Sequence, residues 1–361
     1  MSTELSIIIG LAAGGAAAAI ATPLAILVAE RTGFYDVPRE YRQHKAPTPL
    51  LGGAAVLVAW LIGALATGAL SGPLLVVAGG GAALWLLGTV DDRIAVAPKW
   101  RVLAEAVAAG GLVLAGLGWD TAAPGAVNIV LTVLWTVGLV NAFNLMDNMD
   151  GACGTVSAVT AAGVGVLAAI MGHAAIAALA FALAGATAGF LPWNLAKPSR
   201  IFLGDGGSML VGFLVAALAM ATVRHSPTGN AGLLLGALLV GLPILDVTLV
   251  SVSRLRRGVT LATGGRDHLT HRIGLVRPSA RSVAITLALV QAVLCGLTIA
   301  GFELGAGAVI GFGFAVFAVG VVAVVVLDTS RWRPPGIAFA PAAPAPVTPP
   351  AVAKPVPVDS R

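Results

Sequence analysis

Five short polar stretches interrupt an otherwise apolar chain, and their residue types suit phosphate and metal chemistry. Gly88-Thr-Val-Asp91-Asp92-Arg93 sets two carboxylates side by side at the end of an apolar run. Such a pair is costly to keep near lipid. It lowers that cost by pairing with a base, binding a divalent cation or accepting a proton from a nucleophile. A solvated helix end paired with Arg93 is the plainer alternative. Asn141, Asn144, Asp147 and Asp150 recur every third residue among mostly apolar neighbours. On one helix they would face a common space, as an oxygen-rich site for a metal or nucleotide or as an interhelical hydrogen-bond network. Asp205 lies between glycines in Gly204-Asp-Gly-Gly-Ser208. Glycines there would expose N–H groups to an anion, or Asp205 would cap a helix. Asp267-His268-Leu-Thr270-His271-Arg272 brings two histidines and an arginine within reach of one phosphate; an interfacial loop bound to acidic lipid heads is the alternative. Arg42 and Lys45, between Pro38 and Pro47, could hold an anionic headgroup or mark a stiff basic connector.

The elements that position these residues are membrane helices. The chain has 361 residues, 58% hydrophobic and 10% charged, against about 25% charged in soluble domains. Spans of roughly 17–25 apolar residues can be drawn at about 5–29, 50–70, 73–89, 100–117, 126–143, 153–170, 173–192, 207–223, 230–252, 281–301 and 304–327. The expected fold is an all-α polytopic bundle of about eleven transmembrane helices. With loops alternating sides, every Lys and Arg except Arg224 falls on one side. The positive-inside rule makes that side cytoplasmic, with the N-terminus outside, the C-terminus inside and the whole in the plasma membrane. No Lys or Arg precedes the first span and Arg31 follows it, the reverse of a signal peptide. Residues 1–333 read as one membrane domain and 334–361 as a Pro/Ala-rich disordered tail. The basic residues are spread over membrane loops without a nucleic-acid-binding motif, which excludes nucleic acid as partner. Cys153 and Cys295 define neither a disulfide framework nor a metal spacing.

Two acids fall within the spans. Glu105 lies one turn from Arg101 and is expected to pair with it. Asp246 follows the Pro243 break and reads as a structural hydrogen-bonding group. His173 and His225 lie at the opposite side and are given no role.

Taken together and in order, the motifs resemble the polyprenyl-phosphate N-acetylhexosamine-1-phosphate transferases of the MraY/WecA type. The matching pieces are Asp36-x-Pro with His44-Lys45-x-Pro-Thr-Pro-x-x-Gly-Gly, Gly88-x-x-Asp-Asp, Asn141-Ala-Phe-Asn-Leu-x-Asp-x-x-Asp-Gly, Ile201-Phe-x-Gly-Asp-x-Gly-Ser and Asp267-His-Leu-x-His-Arg, across about residues 33–280. The resemblance implies a Mg²⁺ enzyme (Mn²⁺ as substitute) that moves a sugar 1-phosphate from a UDP-N-acetylhexosamine to polyprenyl phosphate and releases UMP. It implies Asp91 and Asp92 as the catalytic pair, with Asp91 as proton acceptor. It implies Asn144 and Asp205 as metal ligands, and Lys45, Arg101, Asp147, Asp150, His268, His271 and Arg272 as substrate-binding. Membrane lipid is a partner and a homodimer an allowed assembly. Thr270 stands where many relatives have a further histidine, and the muramyl-pentapeptide enzymes have a denser histidine run and ten spans. Both features favour the WecA-like branch, with the muramyl-pentapeptide transferase as alternative. From other classes the alternatives are a transporter or a silent prenyl-lipid-binding relative. A transporter would keep its polar groups near the bilayer midplane, whereas these gather at helix ends.

Overall fold

The computed structural model describes residues 1–36, 47–261, 265–332 and 334. Among them the chain runs α1 (Thr3–Thr32), a two-residue antiparallel pair β1 (Tyr35–Asp36) and β2 (Thr48–Pro49), α2 (Gly52–Thr67), α3 (Leu75–Ile94), α4 (Pro98–Leu114), α5 (Gly125–Met146), α6 (Ala152–Ile170), α7 (Ala174–Asn194), α8 (Gly204–Val223), α9 (Gly232–Leu239), α10 (Gly241–Arg257), α11 (Leu269–Gly274), α12 (Ala280–Leu304) and α13 (Ala306–Leu327). It is an all-α polytopic membrane protein. Except for Pro334, the expected tail lies outside the described residues.

Each expected span is helical, but not all meet the length and hydropathy of a crossing helix. Eight do so alone: α1, α3 with the turn before it, α5, α6, α7, α8, α12 and α13. Helices α9 and α10 qualify only as a pair and bend by 71° at Val240–Gly241. Helix α2 is apolar but has 16 residues, and α4 has 17 and carries Lys99, Arg101 and Glu105. At about 1.5 Å per residue such helices reach roughly 25 Å, short of the ~30 Å hydrocarbon core.

Helix α8 is the hub. Every residue of its most apolar window is buried, against α3, α5, α2 and α6. Apolar attraction between helices is weak in lipid, so close packing and hydrogen bonds must hold the bundle. Small residues supply the packing where α1 meets α7: a methyl at Gly10 would stand 2.7 Å from the Ala178 carbonyl. Indoles supply long-range bonds, Trp60 Nε1 donating to the Leu179 carbonyl at 3.1 Å and Trp135 Nε1 to that of Ala216 at 3.0 Å.

The loop before α2 is tied to the loop before α8. Phe202 N–H donates to the Pro49 carbonyl, and Gly52 and Gly53 N–H donate to the carbonyls of Phe202 and Leu203. The polar stretches at the end of α3, the start of α4, the end of α5 and the start of α8 therefore meet at one end of the bundle.

Candidate active site

Arg101, in the first turn of α4, joins the acids. It donates to Asp91 Oδ2 at 2.7 Å and to Asn144 Oδ1 at 2.9 Å, and stands 3.9 Å from Asp205 Oδ2. Asn144 passes the link on, its Nδ2 donating to Asp205 Oδ1 at 2.8 Å and Ser208 Oγ at 2.9 Å. Asp91 also accepts from Val96 N–H at 2.6 Å, so both of its oxygens are engaged. Asp92 faces the other way and accepts from the backbone N–H groups of Asp205 at 3.1 Å and Gly206 at 3.4 Å. It caps α8 from another helix, with a carboxylate at the positive end of the helix dipole. Arg93 leaves the pair and lies over the Phe34 ring, 4.3 Å from its centroid, so the solvated Asp–Arg helix end does not form.

Close backbone contact sets the position of Asp205. A methyl at Gly88 would fall onto the Asp205 carbonyl carbon at 2.5 Å and the Gly206 nitrogen at 2.6 Å. Gly204 begins the helix at φ +76°, a left-handed conformation that favours glycine.

The run of four polar residues spaced by three is not one helical face. Helix α5 stops at Met146. Asn141 turns to α4, where its Nδ2 donates to Glu105 Oε2 at 2.6 Å. Glu105 thus takes its hydrogen bond from Asn141, while the expected partner Arg101 bonds Asp91 and Asn144. Asp147 and Asp150 lie in the turn before α6. Burial pushes the Asp147 carboxyl well above its usual range, and the charges of Asp205, Asp92 and Asp150 add to the push. Burial pushes Asp150 up to about 6. Gly151 (φ +77°) closes this turn, its N–H donating to Asn194 Oδ1 at 2.7 Å, while Asn194 Nδ2 donates to the Ile201 carbonyl at 2.9 Å. Asn194 thereby joins the Asp147–Asp150 turn to the Asp205 loop.

The histidine motif is braced by α10. Asp267 receives Arg254 Nε at 3.0 Å and Nη2 at 2.9 Å, and pairs with Arg257. Burial alone would raise the Asp267 carboxyl; Arg254 and His268 more than offset it and hold it at about 2. His268 is 4% exposed and packs on Asp246, and its ring centroid is 6.1 Å from that of His271. Burial, with the neighbouring charges of His268 and Arg266, pulls His271 down to about 4. Thr270 donates to Asn148 Oδ1, fastening the motif to the turn that carries Asp147 and Asp150. Arg272, expected as a substrate contact, is held inside the protein. It is 1% exposed, and its donors go to the Asp267 carbonyl at 3.0 Å, Ser253 Oγ at 3.1 Å and the Leu327 carbonyl. It is a strut between α10, α11 and the end of α13. Lys45 lies outside the described residues.

Among the described residues no three His, Cys, Asp or Glu side chains form a group that could hold a metal ion. Magnesium commonly takes only one or two carboxylates and completes its shell with water and phosphates. Asp205, 38% exposed, is the open carboxylate edge of the network. Asn144, expected as a second ligand, has its amide engaged at both ends, with Nδ2 on Asp205 and Oδ1 on Arg101. Asp91 and Asp205 share one guanidinium, and Asp92, Asp147 and Asp150 crowd the same acids. That acidic surplus fits a divalent cation shared with a phosphate ligand. Sequence reasoning assigns Asn148 and Asn194 no role and Ser208 only a place in a motif; their bonds to Thr270, Gly151 and Asn144 span 122, 43 and 64 residues.

The fold and site define a polytopic membrane protein with an acid-rich, phosphate-suited centre at one end of its helices. The profile of glycosyl transferase family 4 matches residues 74–223, the stretch from Asp91 to Asp205. A decaprenyl-phosphate N-acetylglucosaminephosphotransferase of Mycobacterium tuberculosis is 32% identical over 322 residues, 77% of this chain and 79% of that protein. An undecaprenyl-phosphate alpha-N-acetylglucosaminyl 1-phosphate transferase of Escherichia coli is 26% identical over 286 residues, 75% of this chain and 77% of that one. A Streptomyces coelicolor protein with a provisional glycosyltransferase name is 37% identical over 267 residues, 72% of this chain; the match spans 62% of that relative's length. The chain belongs to glycosyl transferase family 4, the family of polyprenyl-phosphate hexosamine-1-phosphate transferases.

Proposed function

We propose that the protein transfers N-acetylglucosamine 1-phosphate, or a related N-acetylhexosamine 1-phosphate, from a UDP-sugar to a polyprenyl phosphate. A phosphate oxygen of the lipid attacks the sugar-bearing phosphorus of the UDP-sugar, the bond from that phosphorus to UMP breaks, and UMP leaves. The product is a lipid-diphosphate-linked sugar for cell-envelope glycan synthesis. The observation that carries the reading is the convergence of Asp91, Asp92, Asn144 and Asp205 on Arg101 and the start of α8, in a chain whose relatives are named for this transfer.

Attack of one phosphate on another is opposed by like charge, so positioning and charge balance dominate. Asp205, next to Asp147, would hold a Mg²⁺ or Mn²⁺ ion, which would neutralise charge on the diphosphate. Asn144 and Ser208 keep Asp205 in place. Asp91 orients Arg101, whose charge faces the same space, and Asp92 anchors α8. The lipid phosphate is already an anion near neutral pH, so direct attack needs little base catalysis. His268 and His271 offer ring nitrogens to phosphate or sugar oxygens. We place the centre on the cytoplasmic face of the plasma membrane, from the distribution of Lys and Arg.

The test uses purified full-length protein in detergent with UDP-N-acetylglucosamine, polyprenyl phosphate and Mg²⁺, following UMP and lipid-linked sugar. Both products should appear together, vanish with EDTA, and fall at least 100-fold in Asp205→Ala. Absence of product with every UDP-sugar tried, or normal turnover in Asp205→Ala, would overturn the reading.

A further inference from the structure

Asp246 is the most deeply buried acid of the histidine region, at 0% exposure. It lies on α10, five residues past Gly241, where α10 begins at the 71° bend. An acid at such a position must be bonded on both oxygens or leave a buried charge unpaired. Both oxygens are bonded. Leu269 N–H donates to Oδ1 at 2.6 Å, and His268 Nδ1 stands 3.0 Å from Oδ2. The two bonds address consecutive residues of one loop. The first holds the opening turn of α11; the second holds the ring of its N-cap residue, His268.

We propose that Asp246 is a positioning residue for the transfer reaction: it fixes the ring of His268 by accepting from Nδ1–H, so that Nε2 is the nitrogen turned to the substrate phosphate, where it donates when protonated. The proposal rests on the transferase reading for the identity of that phosphate, and on geometry alone for the ring. Oδ1 already accepts from a backbone N–H, and an ionised carboxylate can only accept at Oδ2, so the ring must donate from Nδ1. When one imidazole nitrogen is committed in this way, the other has a defined role and direction. The titratable neighbours of the pair are His271, with its ring centroid 6.1 Å away, and Asp267, which is itself committed to Arg254 and Arg257. Asp267 is therefore not free to compete for His268. Helix α10 thus braces the loop twice, with Arg254 and Arg257 on Asp267 and with Asp246 on His268.

Two measurements test the idea on the full-length protein. In the first, histidine is labelled with ¹⁵N and ring-nitrogen spectra are recorded at pH 8. The chain has five histidines, and His268→Gln identifies the signal. The expected spectrum has a proton on His268 Nδ1; a bare Nδ1 overturns the proposal, whether or not turnover is observed. The second is a double-mutant cycle on turnover with UDP-N-acetylglucosamine. Asp246→Asn should lower kcat about 10–100-fold, the usual scale for loss of a group that orients a ligand-binding histidine. Asp246→Glu should recover part of the loss, and in a His268→Gln background Asp246→Asn should cost less than about 2-fold. An equal loss in both backgrounds would make Asp246 a fold residue and overturn the proposal. If the wild type proves inactive, the transferase reading fails, and the ring spectrum alone decides the role of Asp246.

Discussion

Arg101 and Asp92 divide the work of assembling the site, one through side chains and the other through backbone. Arg101 collects Asp91 and Asn144 and faces Asp205, while Asp92 receives the first amides of α8. His271 is a case where protonation bears on stability. Burial and nearby positive charge hold it at about 4 when folded, against an ordinary 6.5. The folded protein therefore keeps a neutral ring that the unfolded chain protonates below 6.5. The stability this contributes is present above 6.5 and is lost as pH falls from 6.5 toward 4. Asp267 behaves as a depressed acid: its contribution is present above 3.8 and is lost as pH falls toward 2. Asp150, raised to about 6, acts in the opposite sense, its neutral form gaining ground below that pH. His271→Gln should therefore flatten the fall in melting temperature between pH 6.5 and 4.5 relative to wild type. Parallel curves for the two proteins would rule out this titration.

At the scale of elements, the site depends on how closely α3 approaches α8. Gly88→Ala would push a methyl into the Asp205 backbone, an overpacking that costs about 1–3 kcal/mol. Gly79→Ala, one helix face away, meets nothing within 4 Å and should be neutral or stabilising by up to ~1 kcal/mol. Melting curves and turnover for the pair form the check; equal behaviour would mean that the α3–α8 contact does not constrain Asp205. The motifs themselves were readable from the sequence, because a carboxylate inside an apolar run is too costly to be incidental. Their connections were not. Asp92 and Asp205 are 113 residues apart, and Asn144 meets Arg101 across 43. The spacing of Asn141 to Asp150 suggested one helical face, but α5 ends at Met146 and Asp147 and Asp150 face the site from a turn. Nor did the sequence show that Arg272 donates to the Leu327 carbonyl, 55 residues on.

For the whole molecule, the bundle has two chemically unequal ends. The acid network and the histidine motif lie at one; Asp120, Arg224 and His225 gather at the other, with Asp120 3.7 Å from each of the two bases. The proposed orientation makes the second end external. Both native cysteines are buried, so they can be replaced by Ala and single cysteines introduced at exposed sites. Ala122→Cys should react with a membrane-impermeant maleimide on intact cells, and Arg277→Cys only after lysis; the reverse pattern would invert the topology.

Helix α8 touches almost nothing but protein, yet its mean hydropathy is 2.0, matching the partly lipid-exposed α1. Its surroundings in the finished bundle do not demand this, since neighbouring side chains would accept a hydrogen-bonding residue. Entry into the membrane does. The helix must partition into lipid during synthesis, while α9 to α13 are still unmade, and at that stage each polar residue near its centre counts against insertion. Its sequence is thus selected twice, by a passage it makes once and by the packing it then keeps. A substitution that the folded protein would tolerate could still leave α8 stranded on the cytoplasmic side of the bilayer, with Asp205 cut off from the helices that hold it.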